Sequence, residues 1–189
     1  MQAQDELGRE CGDIVETTTL AGGCFWCLES IFKQIRGVTE VRSGYMGGTT
    51  KTPKYEQVKN GNTGHAEVVQ IQFDASVISF ADILEVFWHV HDPTTLNRQG
   101  ADVGTQYRSA IFTHTAKQAA TAEASRAKAE KAQVWPGKFV TEISPASEFT
   151  EAEAFHQDFY ARNPAQPYCV AVIDPKVRKF RKGFAPLLK

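Results

Sequence analysis

From Ile14 to Ala21 the chain is rich in β-branched residues; it then meets Gly22-Gly23 and resumes with a different period. After the glycines, apolar residues fall at Phe25, Leu28, Ile31, Phe32 and Ile35 until Gly37 ends the pattern, which is the spacing of one helix face. A strand, a glycine break and a helix in that order place Cys24 at or near a helix N-terminus. Unpaired N–H groups and a partial positive charge there favour thiolate over thiol. Cys27 stands three residues on, close enough to Cys24 on the helix for the two sulfurs to form a disulfide.

The remaining pattern predicts strands at Val38 to Met46, His65 to Phe73, Gln106 to Thr113 and Lys138 to Ile143. Tyr55 to Lys59 reads as a short helical turn. Ser79 with Asp82 reads as a capping box opening a helix to about His89. Thr115 to Gln133 is an Ala-, Lys- and Glu-rich helix with a solvated face, and Glu151 to Arg162 reads as helical. Asp174-Pro175 suits the N-cap and first position of a last helix. His91 to Thr105 has no pattern of its own, and a loop of that length inside a domain is usually functional or disordered. With no βαβα repetition and no glycine-rich phosphate loop, the expected fold is α+β, with helices packed on a mostly antiparallel or mixed sheet.

A chain of 189 residues can bury an ordinary core. Residues 1–12 are polar and patternless and read as a mobile tail, leaving 13–189 as a single domain. Lysine and arginine number 21 against 22 aspartates and glutamates, a formal net charge of −1, which argues against nucleic acid or an anionic membrane as partner. No apolar run approaches the roughly 20 residues that span a bilayer. Met1 to Glu10 lacks the apolar stretch of a signal peptide, so the expected location is the cytoplasm. In a reducing compartment the Cys24/Cys27 pair, among the four cysteines Cys11, Cys24, Cys27 and Cys169, is reactive or metal-binding rather than a structural staple.

Other readings of these residues stand beside the reactive one. Cys24 and Cys27 could be small core residues, or two zinc ligands completed by Cys11 or Cys169 and a histidine, although no second pair follows at zinc-finger spacing. Trp26 beside a nucleophile suits an apolar methyl or thioether group, while Phe25 could be core. Glu67 shares a strand face with Val69, Ile71 and Phe73, where desolvation raises a carboxyl pKa and keeps a proton available. At a strand end it would instead be solvated or paired with His65. Tyr55, Asp102 and Tyr107 are weaker candidates, each compatible with a half-buried tyrosine or a loop carboxylate. His89, His91, His114 and His156 have no metal-ligand spacing. A general thiol–disulfide oxidoreductase would use the cysteine pair but leave Glu67 and the aromatic pair without a role.

Taken together, residues from about Val15 to Gly183 resemble the methionine sulfoxide reductase A family. The stretches that carry the resemblance are Gly-Gly-Cys-Phe-Trp-Cys (22–27), Ser-Gly-Tyr-Met-Gly-Gly (43–48), Tyr-Glu-Gln-Val (55–58), Thr-Gly-His-Ala-Glu (63–67), Phe-Trp-His-Val-His-Asp-Pro (87–93) and Gly-Thr-Gln-Tyr-Arg-Ser (104–109). The resemblance implies a two-layer α+β sandwich with a ferredoxin-like core. It implies Cys24 as nucleophile, Phe25 and Trp26 around the substrate methyl group, and Glu67 as the acid that protonates the sulfoxide oxygen. Tyr55 and Tyr107 would hydrogen-bond that oxygen, with Asp102 in support. The implied substrate is the S epimer of methionine sulfoxide, free or in a peptide. No metal or organic cofactor is expected; thioredoxin would recycle a chain expected to be monomeric. Many relatives carry glycine where Cys27 stands and resolve the sulfenic acid with C-terminal cysteines. Here Cys169, in Gln-Pro-Tyr-Cys (166–169), matches one of those, and a basic segment replaces the usual glycine-rich tail with its further cysteine. Either Cys27 or Cys169 could resolve, and proximity on the helix favours Cys27 because the ring to be closed is short.

Overall fold

The computed structural model describes residues 14–189; the tail read at 1–12, with Cys11, lies outside the described residues. Its strands are β1 (Val15–Gly22), β2 (Val38–Met46), β3 (Ala66–Asp74), β4 (Arg98–Gln99), β5 (Asp102–Val103), β6 (Ser109–Thr113), β7 (Glu142–Pro145) and β8 (Thr150–Glu151). Six of them form one sheet in the order β7-β6-β1-β3-β2-β8, and β4 pairs with β5 as a small separate hairpin. All contacts in the large sheet are antiparallel except β6 with β7, which run parallel. The sheet is therefore mixed, with β1 and β3 at its centre.

The α-helices are α1 (Phe25–Phe32), α2 (Tyr55–Lys59), α3 (Phe80–Val90), α4 (Ala116–Lys131), α5 (Phe159–Arg162) and α6 (Asp174–Gly183). Val69, Ile71 and Phe73 of β3 join Phe25, Ile31 and Phe32 of α1 and Ile83 and Phe87 of α3 in the main core. Alternation puts Ala66 and Val68 on the opposite face, in a smaller cluster with Met46 and Phe112. Helix α3 opens on the capping box read from the sequence: the Asp82 N–H donates to Ser79 Oγ at 3.1 Å and the Ser79 N–H to Asp82 Oδ2 at 3.4 Å. Helix α4 buries Gln118, Ala122 and Ala129 and leaves most of its surface in solvent.

Four local readings change. The strand expected from Gln106 begins at Ser109, because Thr105–Tyr107 is a 3₁₀ turn, and Tyr107 is thereby turned off the sheet. The strand expected at Lys138 begins at Glu142, where pairing with β6 starts. Glu151 to Arg162 is not one helix. Glu151 pairs with Gly44, the Gln157 amide bonds both the N–H and the C=O of Ser43 at 3.0 and 2.9 Å, and Asp158 adopts a left-handed φ of 55°. Its N–H is held by the buried Glu29 carboxylate at 3.1 Å. These long-range bonds outweigh local helix propensity, leaving a 3₁₀ turn at Ala154–His156 and the short α5. Finally, Asp174 does not cap a new helix, since the chain already runs helically through a π-type stretch, Cys169–Ile173. A π turn directly before Pro175 accommodates a ring that has no N–H to give and crowds the preceding turn.

Candidate active site

The glycine break between β1 and α1 is forced by its neighbours. A side chain on Gly22 would meet the rings of His91 and Phe87 at 3.0–3.2 Å. One on Gly23, whose φ is +91°, would lie 2.6 Å from Gln99 Cγ. Gln99 is fixed in turn, exchanging two 3.0 Å hydrogen bonds with the Asp92 backbone. The long loop is thus pinned against the start of α1, and its hairpin brings Asp102 over the same point. His91 locks the other side, with its ring nitrogens bonded to the Phe87 carbonyl (2.5 Å) and Ser109 Oγ (2.7 Å). Burial pushes its pKa down to about 4.

Cys24 is the N-cap residue of α1 and is 8% exposed. It opens into a cavity of about 230 Å³ that is also lined by Trp26, Tyr55, Glu67, Asp102 and Tyr107. Residues from five separate stretches of the sequence therefore converge on one sulfur. Two further walls, Gln166 and Tyr168, were not singled out from the sequence. Phe25 does not join them: it is fully buried and packs against Tyr45 and His156, with ring centroids 5.7 and 5.1 Å away. Cys169 is also fully buried and does not line the cavity.

Trp26 is fixed on several sides. Phe159 stacks on it at 3.7 Å, Tyr168 meets it edge-on at 5.9 Å, and its Nε1–H donates to His156 Nδ1 at 3.1 Å. His156 must then be neutral with its proton on Nε2, a buried nitrogen without a partner; burial lowers its pKa, which keeps it so. Tyr55 sits at the first turn of α2, its N–H donating to the Glu153 carboxylate at 3.3 Å and its ring 4.4 Å from that of His156. Its phenol is pushed up to about 12 by burial and by Glu67. Burial likewise holds the Tyr107 hydroxyl well above the ordinary tyrosine range, so both remain O–H donors.

Glu67 is 3% exposed, and one of its oxygens, Oε2, is buried with no hydrogen-bond partner. Burial first, then the charges of Asp102 and Cys27, raise its pKa well above the usual carboxylate value. It is not paired with His65, whose ring bonds the Gly48 N–H at 3.1 Å and the Thr50 carbonyl at 2.7 Å. The cavity thus holds a buried carboxyl, biased toward its protonated form, beside a sulfur.

The two cysteines share a hydrogen bond with opposite consequences. Burial, the bond to Cys27 and the nearby Glu67 raise the Cys24 thiol; accepting that bond, with help from Lys176 and Tyr168, lowers Cys27 despite its burial. Both effects bias Cys24 toward the thiol. The Trp26 N–H at the helix start pulls its pKa down, but burial outweighs that pull, contrary to the thiolate expected from the helix terminus alone. Among the described residues no group of three or more His, Cys, Asp or Glu side chains is placed to hold a metal ion, and no helix is long and apolar enough to cross a membrane.

Residues 16–187 match the family model described as peptide methionine sulfoxide reductase. A relative named peptide methionine sulfoxide reductase MsrA from Saccharolobus solfataricus is 52% identical over 93% of this chain and 98% of its own. One of the same name from Thermus thermophilus is 51% identical over 92% and 98%. Among solved structures, reduced Mxr1 from Saccharomyces cerevisiae superposes with a TM-score of 0.76 at 32% identity, covering 82% of this chain and 89% of its own. Methionine sulfoxide reductase A of Corynebacterium diphtheriae gives 0.71 at 35% identity, covering 79% and 76%. Mxr1 has also been solved in complex with Trx2, a form that matches at a TM-score of 0.53 and 23% identity over 77% of this chain and 84% of that one, a likeness of fold alone. A cavity joining the thiol of a helix N-cap residue to a buried carboxyl and phenol donors, on a sheet shared with these structures and under a family match along almost the whole chain, places this protein in the peptide methionine sulfoxide reductase family.

Proposed function

We propose that Cys24 attacks the sulfur of the S epimer of methionine sulfoxide while Glu67 gives its proton to the oxygen. The observation that carries this reading is the unpartnered, buried Oε2 of a protonated Glu67 in the cavity that Cys24 enters. Such an oxygen is costly to leave bare unless a ligand atom meets it. A sulfoxide oxygen there would also face two phenol donors, Tyr55 and Tyr107, while Trp26 covers the methyl group. Phe25 contributes from behind, holding His156 and through it the indole.

The atoms balance simply. As Cys24 attacks, its proton passes to Cys27, which takes part as a thiolate, the form its lowered pKa favours, and becomes the thiol. Thiolate, sulfoxide and the Glu67 proton yield methionine and a Cys24 sulfenic acid. The Cys27 thiol then attacks Cys24; the S–S bond forms, the S–O bond breaks, and water leaves with the proton. A dithiol opens the disulfide by exchange and is itself oxidised. We assign that dithiol to thioredoxin, a reading supported by the complex of Mxr1 with Trx2. We read the protein as a monomer with 13–189 as the catalytic domain, and place it in the cytoplasm, where thiols stay reduced. No metal or organic cofactor enters any step.

The test is a single turnover without reductant. One equivalent of methionine per chain and a trappable sulfenic acid on Cys24 in Cys27→Ser are expected. Methionine formed by Cys24→Ser, or a sulfenic acid on another cysteine, would remove the assignment.

A further inference from the structure

Tyr55 belongs to α2, a helix of five residues, and a helix so short does not hold itself in water. What fixes it comes from a segment 98 residues further on. Its N–H donates to the Glu153 carboxylate, 3.3 Å from Oε2 and 3.4 Å from Oε1, and the fully buried Tyr45 hydroxyl donates to the same Oε1 at 3.3 Å. Tyr45 lies on β2 directly opposite Glu67 on β3. One carboxylate therefore ties the first turn of α2 to the strand beside the proposed acid. The segment that carries it is anchored at both ends on one residue of β2. The Ala152 N–H donates to the Ser43 carbonyl at 2.9 Å, and the Gln157 amide bonds the same carbonyl and the Ser43 N–H. Between these anchors His156 and Phe155 pack on the Tyr55 ring, with centroids 4.4 and 6.4 Å away. Glu153 itself does not line the catalytic cavity, so any effect it has on the chemistry passes through its partners.

We propose that Glu153 is a positioning residue for the sulfoxide-reducing step: its carboxylate holds the start of α2 against β2 and so sets where the Tyr55 hydroxyl stands relative to Glu67. The role rests on the reading of Tyr55 as a donor to the sulfoxide oxygen. No bond is made or broken at Glu153, and no proton leaves it. A donor aimed at developing charge works only at its proper distance and angle, and a misplacement of about 1 Å can cost on the order of a hundredfold in rate. The negative charge of Glu153 also suits the partial positive charge at the start of α2.

Glu153→Ala removes the acceptor and leaves the cavity walls chemically unchanged. In single turnovers of the whole chain it is expected to slow methionine release about ten- to a hundredfold, the worth of one hydrogen bond to a charged group, and in steady state kcat should fall more than KM rises. The discriminating readout is the same substitution made over Tyr55→Phe, where the hydroxyl to be positioned is already gone. There it should add less than about twofold, whereas a purely structural loss would be felt in full. Glu153→Gln returns an oxygen for the Tyr55 N–H and the Tyr45 O–H and should recover most of the rate. Glu153→Asp keeps the charge but draws it back by one methylene; it should show the same dependence on Tyr55 more weakly, and it stands in if Glu153→Ala melts below the assay temperature. A parent rate in the folded variant, or a loss as large over Tyr55→Phe as without it, overturns the positioning role. Methionine released at the parent rate by Tyr55→Phe alone overturns the Tyr55 reading beneath it, so the two failures are distinguishable.

Discussion

Replacing Glu67 by Gln should make the enzyme slower and the fold more stable, and both effects follow from the same burial. The substitution keeps the shape and the hydrogen-bonding end of the side chain but removes the transferable proton. Loss of a general acid costs about 10²- to 10⁴-fold in the step it serves, so methionine release in a single turnover should fall by that range. Glu67 has its folded-state pKa raised by burial, so the folded chain binds its proton more tightly than the unfolded chain does. That contribution is fully present below the unfolded pKa of about 4.3 and is lost as pH climbs to the folded value. Within that window the parent loses up to about 1.4 kcal/mol per pH unit relative to Glu67→Gln. For a chain of this length that is roughly 3–6 °C of melting temperature per unit. Melting the two proteins side by side from pH 4 to 8, with single-turnover rates at each pH, measures both quantities. The parent rate should fall once pH passes the Glu67 pKa, and the variant should lack that limb. Equal rates, or a melting difference that does not grow with pH, would refute the assignment of Glu67 as a buried, protonated acid.

Other consequences follow from the surrounding residues. Cys27→Ser should release one methionine per chain but form no rapid disulfide, whereas Cys169→Ser should keep the rapid disulfide; the reverse pattern would move the resolving role to Cys169. His156→Phe removes the acceptor of the Trp26 N–H and should raise KM by about two- to tenfold with a smaller loss of kcat, the size of one hydrogen bond. A shifted tryptophan emission should accompany it, and unchanged KM and emission would show that Trp26 is held without His156. His91, neutral and buried with its pKa held down to about 4, contributes about 3 kcal/mol above pH 6.5 that is lost as pH falls toward 4. Acid melting curves of the parent should therefore be steeper in that window than those of His91→Gln, and parallel curves would contradict it.

What could be read before folding was what neighbouring residues decide among themselves. The β1–glycine–α1 unit, β2, α2 and the Ser79 cap are written in local periodicity and local hydrogen bonds. Glu67 was legible as a buried carboxyl because alternation along one strand placed it on the face of Val69 and Ile71. The segments that escaped are those in which distant groups decide. Gln157 gives up a helix to bond Ser43 in β2, and Asp158 turns left-handed to reach Glu29. Tyr107 leaves the strand predicted for it because a 3₁₀ turn intervenes. Tyr168 lay in a motif noticed for the adjacent cysteine, and nothing in its neighbours says that it packs against Trp26 or bonds Asp102. Phe25 was placed beside the substrate methyl group by the resemblance alone, while its own neighbours allowed it to be core; a helix turns successive residues about 100° apart, and this one faces the core.

The most direct test of the account is the reduction of each epimer of methionine sulfoxide, supplied singly with a dithiol reductant, by the parent chain and by Cys24→Ser. Consumption of the S epimer alone by the parent, and of neither by the variant, is the predicted result. Turnover of the R epimer, or S-epimer turnover that survives in Cys24→Ser, would contradict it.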